Sequence, residues 1–252
     1  MLTPEIRRYW EREACGTDLT IVGDVPLLTH GWFERIETYR YEVEPLIHAV
    51  AQFTRHSGKK VLEVGVGAGT DHLQWARAGA QCYGVDLTET AVKTTKAHLS
   101  LYNFGSNLQQ ANGERLPFCS DAFDVVYSWG VIHHAEYPAQ IIQEIKRVLK
   151  AGGIFIGMLY SRHSILVLKM WFRYALLKGR PWRNLKEVVW HHMESVGTQA
   201  YTVAELENLF SEFSIFSAKT FVSPYDTRRL PAWLSRFLPD DWGWFITVRA
   251  VK

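Results

Sequence analysis

From about residue 60 onward the chain alternates short, almost wholly apolar runs with stretches in which apolar residues recur every three or four positions. Runs of the first kind suit strands covered on both faces, and stretches of the second kind suit helices with one buried stripe. The pattern predicts strands at 60–64, 81–85, 108–110, 123–128 and 154–159. Helices are predicted at 70–78, from an N-cap at Thr88 through 101, and at 139–149. In the last of these, positions 141, 142, 145, 148 and 149 share one face, and Gly152 with Gly153 is expected to stop it. Thr202 and Glu205 form a capping box ahead of a helix over 203–212. Two more strands, about 213–222 and 244–250, close the pattern. Strands alternating with helices predict an α/β fold, a parallel sheet with helices on both faces.

Three segments break the rhythm: 1–40, 161–201 and 223–241. They are rich in Trp, Arg and Pro and are read as additions to a single domain over 1–252. In that reading 1–40 is an N-terminal cover, with Tyr9, Trp10, Arg40 and Tyr41 folding over a cofactor. Residues 41–160 form the cofactor-binding core, 161–201 a lid insertion, and 202–252 the end of the core with the insertion 223–241. A helix over 164–178 is expected to turn Ile165, Leu168, Trp171, Phe172 and Leu176 to its apolar side, and Lys169, Arg173 and Lys178 to a basic side.

Composition narrows the class. With 252 residues, 47% of them hydrophobic, the chain can bury one sizeable core. Twenty-eight Lys and Arg against 26 Asp and Glu leave a net charge of +2 with no basic block, so nucleic acid is not expected as a partner. Three scattered cysteines, Cys15, Cys82 and Cys119, make no disulfide framework or metal-ligand pair and point to a reducing cytoplasm. The first residues lack a signal-peptide pattern. The longest greasy stretch, 165–177, is interrupted by Lys169 and Arg173 and falls short of the roughly 20 residues that span a bilayer. Peripheral membrane contact through 164–182 stays open. His191, His192 and Glu194 match no metal-ligand spacing, and no metal is expected.

The candidate chemistry starts at Glu63, Gly65, Val66, Gly67 and Gly69, between a strand and a helix. Glycines there let the backbone turn sharply and approach a ligand, and the helix beyond offers free N–H groups. Asp86 ends the next strand, where a carboxylate can accept both hydroxyls of a ribose. Two cofactors compete for this arrangement. A dinucleotide loop would place its third glycine at position 70, which is Thr70 here. The acid Glu63 before the loop suits a ligand carrying an ammonium group, whereas a pyrophosphate would not favour it.

Five motifs follow in order: Val-Leu-Glu-Val-Gly-Val-Gly-Ala-Gly-Thr (61–70), Gly-Val-Asp-Leu-Thr (84–88), Glu-Arg-Leu-Pro-Phe (114–118), Phe-Asp-Val-Val-Tyr-Ser-Trp-Gly-Val-Ile-His-His (123–134) and Arg-Val-Leu-Lys-Ala-Gly-Gly (147–153). Together they resemble the class I S-adenosylmethionine-dependent methyltransferases, particularly the small-molecule group that includes ubiquinone and menaquinone biosynthesis enzymes. The likeness covers roughly 40–160. It implies a Rossmann-like three-layer sandwich, with a mostly parallel seven-stranded sheet and an antiparallel last strand. It also implies S-adenosylmethionine as cofactor, S-adenosylhomocysteine as product and a small-molecule acceptor. Glu63, Gly65 and Gly67 would line the methionine end, Asp86 would hold the ribose, and Leu87 would lie against the adenine. Asn112 stands where the family usually has Asp, and its side-chain oxygen can still accept from an adenine amino group. Gly113 and Glu114 would flank the same pocket, with Ser128 and Trp129 beneath the sulfonium.

Methyl transfer asks the protein mainly to position a nucleophile and exclude water. His133 and His134, after the fourth strand, are candidate bases, and Tyr160 with Arg162 and His163, after the fifth, are candidates for orienting an acceptor. The leading reading is methylation of an oxygen, carbon or nitrogen of a small, apolar or aromatic molecule. A catalytically silent cofactor-binding subunit and a nicotinamide-dependent oxidoreductase are the alternatives.

Overall fold

The computed structural model describes residues 2–12, 17–228, 230–231, 233 and 237–252; Cys15 lies outside them. Seven strands form one sheet: β1 Lys60–Val64, β2 Gln81–Asp86, β3 Asn107–Gln110, β4 Phe123–Trp129, β5 Leu149–Tyr160, β6 Ile215–Phe221 and β7 Phe245–Val251. Their order is β3-β2-β1-β4-β5-β7-β6. Strands β1 to β5 pair in parallel, and β7 runs antiparallel to both β5 and β6. The Rossmann-like sheet with an antiparallel last strand is therefore observed.

Among the described residues, eight helices of seven residues or more accompany the sheet: α1 Thr3–Arg12, α2 His30–Val43, α3 Thr70–Arg77, α4 Glu89–Leu101, α5 Pro138–Val148, α6 Ile165–Tyr174, α7 Leu185–His192 and α8 Val203–Leu209. The period-two geometry of the strands splits the core into two layers. On one face Val125, Tyr127, Trp129, Ile156 and Met158 pack with Trp75 of α3. On the other, Val126, Phe155 and Leu159 pack with Ile141, Ile142 and Ile145 of α5 and with Phe210. Fully burying each of these side chains contributes about 1.5–3 kcal/mol.

Element boundaries shift where glycines were read as stops. Helix α5 ends at Val148, and β5 starts at Leu149 rather than at 154. Gly152, at φ +71°, sits inside the strand, where the pairing with β4 jumps from Phe123–Leu149 to Val125–Ile154. The glycine pair makes an irregularity in a longer strand, because both flanks still find partners across the sheet.

Helix α6 is rotated relative to the expectation. Ile165 and Val167 are buried, whereas Leu168, Phe172 and Leu176 are exposed, and Trp171 is half-buried with its Nε1 donating to the Arg183 carbonyl at 2.7 Å. Nor is the basic side wholly solvated, since Lys169 Nζ donates to the Asp226 carbonyl at 2.9 Å. Apolar residues run almost all round this helix, so periodicity could not choose the buried face, and tertiary contacts did.

The N-terminal helices pack on the glycine-loop side of the sheet. Phe33 of α2 is fully buried and stacks on His98 of α4, with centroids 3.8 Å apart and planes 6° apart. His98 Nδ1 donates to the Ala68 carbonyl at 3.1 Å, which ties α4 to the loop. Burial lowers the His98 pKa to about 4, despite the hydrogen bond to Ala68. A histidine depressed in this way binds its proton more readily unfolded, so stability falls as pH drops from 6.5 towards 4. By pH 5 this group should cost about 2 kcal/mol, at about 1.4 kcal/mol per pKa unit. The stability difference between pH 7.5 and pH 5, measured by urea unfolding, should be smaller by about that amount in His98→Gln than in the wild type. Parallel losses in the two proteins would rule His98 out as the titrating group.

Candidate active site

The sheet order reverses at β1, whose neighbours β2 and β4 lead off in opposite directions. Loops leaving the carboxyl ends of these strands part there and leave a crevice. It holds a cavity of about 310 Å³, bordered by residues after β1, β2, β3, β4 and β5.

The loop after β1 forms its floor. Gly65 adopts φ +87°, and a Cβ there would lie 2.2 Å from Val131 Cγ2. Its N–H donates to the Val85 carbonyl at 2.8 Å. Gly67, at φ +53°, would have nothing within 4 Å of an added Cβ, so its face stays open for a ligand. The Gly67 N–H donates to Asp86 Oδ2 at 3.1 Å, while Asp86 Oδ1 accepts from the Thr88 N–H and hydroxyl at 2.9 and 2.8 Å. Asp86 is thus clamped from two sides. Burial still pushes its pKa up, against the pull of those hydrogen bonds.

Glu63 is buried, with His72 Nδ1 2.9 Å from its Oε2. Ser106 Oγ lies 2.8 Å from His72 Nε2 and 2.9 Å from the Cys82 carbonyl. The Ser106 proton is claimed by that carbonyl, so Nε2 is assigned as the donor to Ser106 and Nδ1 is left facing Glu63. One proton must lie between Nδ1 and the carboxyl. Burial, helped by Asp71, raises Glu63 well above the ordinary carboxylate range, and burial lowers His72 to about 4. Both directions put that proton on Glu63.

A second buried cluster adjoins it. Arg40 of α2 donates from Nε and Nη2 to Asp71 at 3.0 and 2.6 Å, and from Nη1 to Glu44 at 3.2 Å. Tyr41 and Tyr127 also donate to Asp71, at 3.2 and 2.8 Å. Burial opposes ionisation of Asp71, but Arg40 and these donors outweigh it and hold its pKa below the usual value. Glu44, which also accepts from Trp129 Nε1, is raised by burial. Among the described residues, Arg40 is the one arginine or lysine in the lining, against seven carboxyl side chains. A wall with this surplus of negative charge suits a ligand bearing an ammonium and a sulfonium, and would repel a pyrophosphate.

Of the residues singled out by sequence, Glu63, Gly65, Val66, Gly67, Asp86, Leu87, Asn112, Gly113, Glu114, Trp129, His134 and Tyr160 line the cavity. Gly69, Ser128 and His133 lie outside its lining. Gly69 caps α3 and packs on Thr95. Ser128 is fully buried and donates to the Val64 carbonyl at 2.9 Å. His133 is fully buried, stacked on Tyr160 at 3.6 Å, and held neutral by burial. Arg162 pairs with Glu205, His163 is exposed, and both stay off the cavity wall. The Asn112 side-chain oxygen already accepts from the Glu114 N–H at 2.9 Å, which leaves it one further lone pair.

Sequence reasoning missed Glu44, Asp71, Met158, Met193 and Glu194, all in the lining. Asp71 follows the loop directly, and its place in the first turn of α3 was the one available signal. The N-terminal segment supplies Thr3, Ile6 and Trp10 to the wall. Trp10 meets His134 edge-on at 4.9 Å.

The Methyltransferase domain family matches residues 62–157. The ubiquinone biosynthesis O-methyltransferase of Stutzerimonas stutzeri is 28% identical over 130 residues, which cover 50% of this chain and 56% of that protein. The chain therefore spans about half the length of the curated relatives it matches. Among solved structures, an S-adenosylmethionine-dependent methyltransferase from Mesorhizobium loti superposes with a TM-score of 0.62 at 19% identity, covering 82% of this chain and 97% of that one. Magnesium protoporphyrin IX methyltransferase from Synechocystis, with S-adenosylhomocysteine bound, gives 0.60 at 14% identity, covering 98% of both chains. Residues 62–157 therefore carry a methyltransferase domain, and the fold is that of S-adenosylmethionine-dependent methyltransferases. Its glycine loop, Asp86 and acid-rich wall fit that cofactor.

Replacing Glu63 by Gln keeps a donor for His72 Nδ1 and removes the carboxyl. Glu63→Gln should unfold within about a degree or two of the wild type but bind S-adenosylmethionine about tenfold more weakly, a loss of about 1.4 kcal/mol. Calorimetry in buffers of different ionisation enthalpy should detect a proton released on binding to the wild type and none in the variant. Equal proton release in both would remove Glu63 as its source.

Proposed function

We propose that this chain transfers the methyl group of S-adenosylmethionine to an oxygen, carbon or nitrogen of a small acceptor with an apolar or aromatic body. The observation that carries this reading is the continuity of the cavity. From the loop and Asp86 it runs to a second wall of Met158, Tyr160, Leu166, Trp244 and Phe245, with no break between them. The cofactor, when bound, supplies an already activated methyl group. The chain's own work is then to orient and to dry. Gly67 and Asp86 would hold the ribose end, and Glu63 and the Arg40 cluster the amino-acid end. The aromatic wall would hold the acceptor in line. Trp10 and Ile6 would keep water from the mouth. His134, whose Nε2 lies 3.1 Å from Glu194 Oε2, is a candidate proton acceptor in the lining if the acceptor must lose a proton.

A catalytically silent cofactor-binding subunit would use the same loop and Asp86, so turnover decides between the two readings. The nicotinamide reading is disfavoured by Thr70 and by the seven carboxyls. A finer feature concerns location. No helix among the described residues is long and apolar enough to cross a membrane. Exposed Leu168, Phe172, Leu176, Leu177 and Trp182 stand beside Arg173, Lys178 and Arg180, which supports peripheral contact with an anionic surface.

Calorimetry should give binding of S-adenosylmethionine and S-adenosylhomocysteine and none of NAD. Asp86→Asn should weaken both nucleosides about tenfold or more. Incubation with methyl-labelled cofactor and a metabolite extract should yield a labelled small molecule. Cofactor binding with no labelled product across broad extracts would favour the silent subunit; NAD binding alone would end the methyltransferase reading.

A further inference from the structure

We propose that Glu194 sets the acceptor specificity of this cavity by receiving a proton-bearing group, an N–H or O–H, of an otherwise apolar or aromatic acceptor, and by rejecting acids. The proposal rests on the methyl-transfer reading above and adds to it the polarity of the acceptor.

The other carboxyls of the lining already have their partners. Glu63 is matched with His72, Asp71 and Glu44 with Arg40, and Asp86 with Thr88 and Gly67. Glu114 accepts from the Tyr137 N–H, and Glu136 from the N–H groups of Leu2 and Thr3. Glu194 differs from them. Its neighbours are the Tyr160 hydroxyl, which donates at 3.1 Å, and His134 Nε2, also at 3.1 Å but off the line of a good hydrogen bond. No lysine or arginine pairs with it among the described residues. Its side chain remains 34% exposed, in the lining beside Tyr160, Trp244 and Phe245.

The backbone indicates that this placement is held against resistance. Glu194 adopts φ +38°, in the left-handed region that non-glycine residues rarely occupy. Such strain persists where the surroundings over-determine it. Here Thr198 Oγ1 donates into the turn, 2.6 Å from the Ser195 carbonyl and 3.1 Å from that of Met193. Both Ser195 Oγ and Thr198 Oγ1 lie against His134 Nδ1, at 3.2 and 3.0 Å. The turn is pinned beneath His134 so that the carboxylate meets the cavity. Burial raises the Glu194 pKa, but His134 and Tyr160 outweigh it and leave it below the ordinary range. An ionised carboxylate with spare lone pairs, among ring faces and without a lysine or arginine partner, attracts ammonium and hydroxyl groups and repels carboxylates.

Three probes that share one ring separate the cases: benzylamine, benzyl alcohol and benzoate, titrated into the full chain saturated with S-adenosylhomocysteine. Benzylamine and benzyl alcohol should bind, with benzoate at least about tenfold weaker, equivalent to about 1.4 kcal/mol. In Glu194→Gln, benzylamine and benzoate should fall within about threefold of each other, while affinity for S-adenosylhomocysteine stays within about twofold. Glu194→Gly, which relieves the backbone, should give the same loss of charge preference and serves if the glutamine variant fails to fold. Benzoate binding as well as benzylamine, neither benzylamine nor benzyl alcohol binding, or a preference surviving in both variants would overturn the proposal. If S-adenosylhomocysteine does not bind, the methyl-transfer reading fails on its own, and the same comparison on the free chain still decides the role of Glu194.

Discussion

The bend at Gly65 is the constraint on which the rest of the site depends. Strand β1 ends between β2 and β4, and the chain must turn away within one residue to open the crevice. It does so at φ +87°, where only the absence of a Cβ leaves room for Val131. That contact joins the loop after β1 to the loop after β4, so one bend fixes both banks of the cavity. The Gly65 N–H, bonded to the Val85 carbonyl, brings the end of β2 into the same arrangement, and Asp86 follows one residue later. The cofactor floor is thus built largely from main chain, which explains why so few side chains specify it.

Charge is the second constraint. Arg40 reaches from α2 across 31 residues to Asp71 and also pairs with Glu44. A buried pair of this kind adds little net stability, because desolvation of both ions offsets their attraction. Its effect here is positional. It fixes α2 against the first turn of α3, and with it the N-terminal segment that walls the cavity. Glu63, next to Asp71, is left to take up a proton. A cavity whose carboxyls outnumber its cations is pre-organised for a positively charged nucleoside.

The parts of the molecule that could be read from sequence are those whose causes are local. Strands β1, β2 and β4 are continuous apolar runs, the α5 stripe recurs at helical spacing, and Gly65, Gly67 and Asp86 lie within about 20 residues of one another. Parts set by long-range packing could not be read. Glu44 accepts from Trp129 across 85 residues, and Tyr160 donates to Glu194 across 34. The buried face of α6 was misjudged because its sequence is apolar nearly all round, and only its neighbours select a side. His133 looked equivalent to His134 in sequence. One residue of offset along a short 3₁₀ turn sends His133 beneath Tyr160 and His134 to the cavity. Glu194 entered the sequence reading only beside His191 and His192 as a metal candidate, since a strained φ at a glutamate cannot be inferred from its neighbours in sequence.

These two kinds of residue divide the cavity by origin. The half proposed for the cofactor comes mainly from loops between sheet strands, with backbone turns, Glu63 and Asp86 at the ends of β1 and β2, and the Arg40 cluster beside them. The half proposed for the acceptor comes mainly from the segments that broke the strand–helix rhythm: Trp10 before the sheet, Leu166, Met193 and Glu194 in the insertion, and Tyr225 near the end. Insertions can change without disturbing β1 to β5, so the acceptor wall can vary while the cofactor floor stays the same, and fold alone does not name the acceptor. His134 lies at the seam. It follows β4, and yet Trp10 packs on its ring, while Ser195, Thr198 and Glu194 surround its two nitrogens. A change in how the insertion sits therefore reaches both His134, after β4, and Tyr160, at the end of β5, which meet the insertion at Glu194.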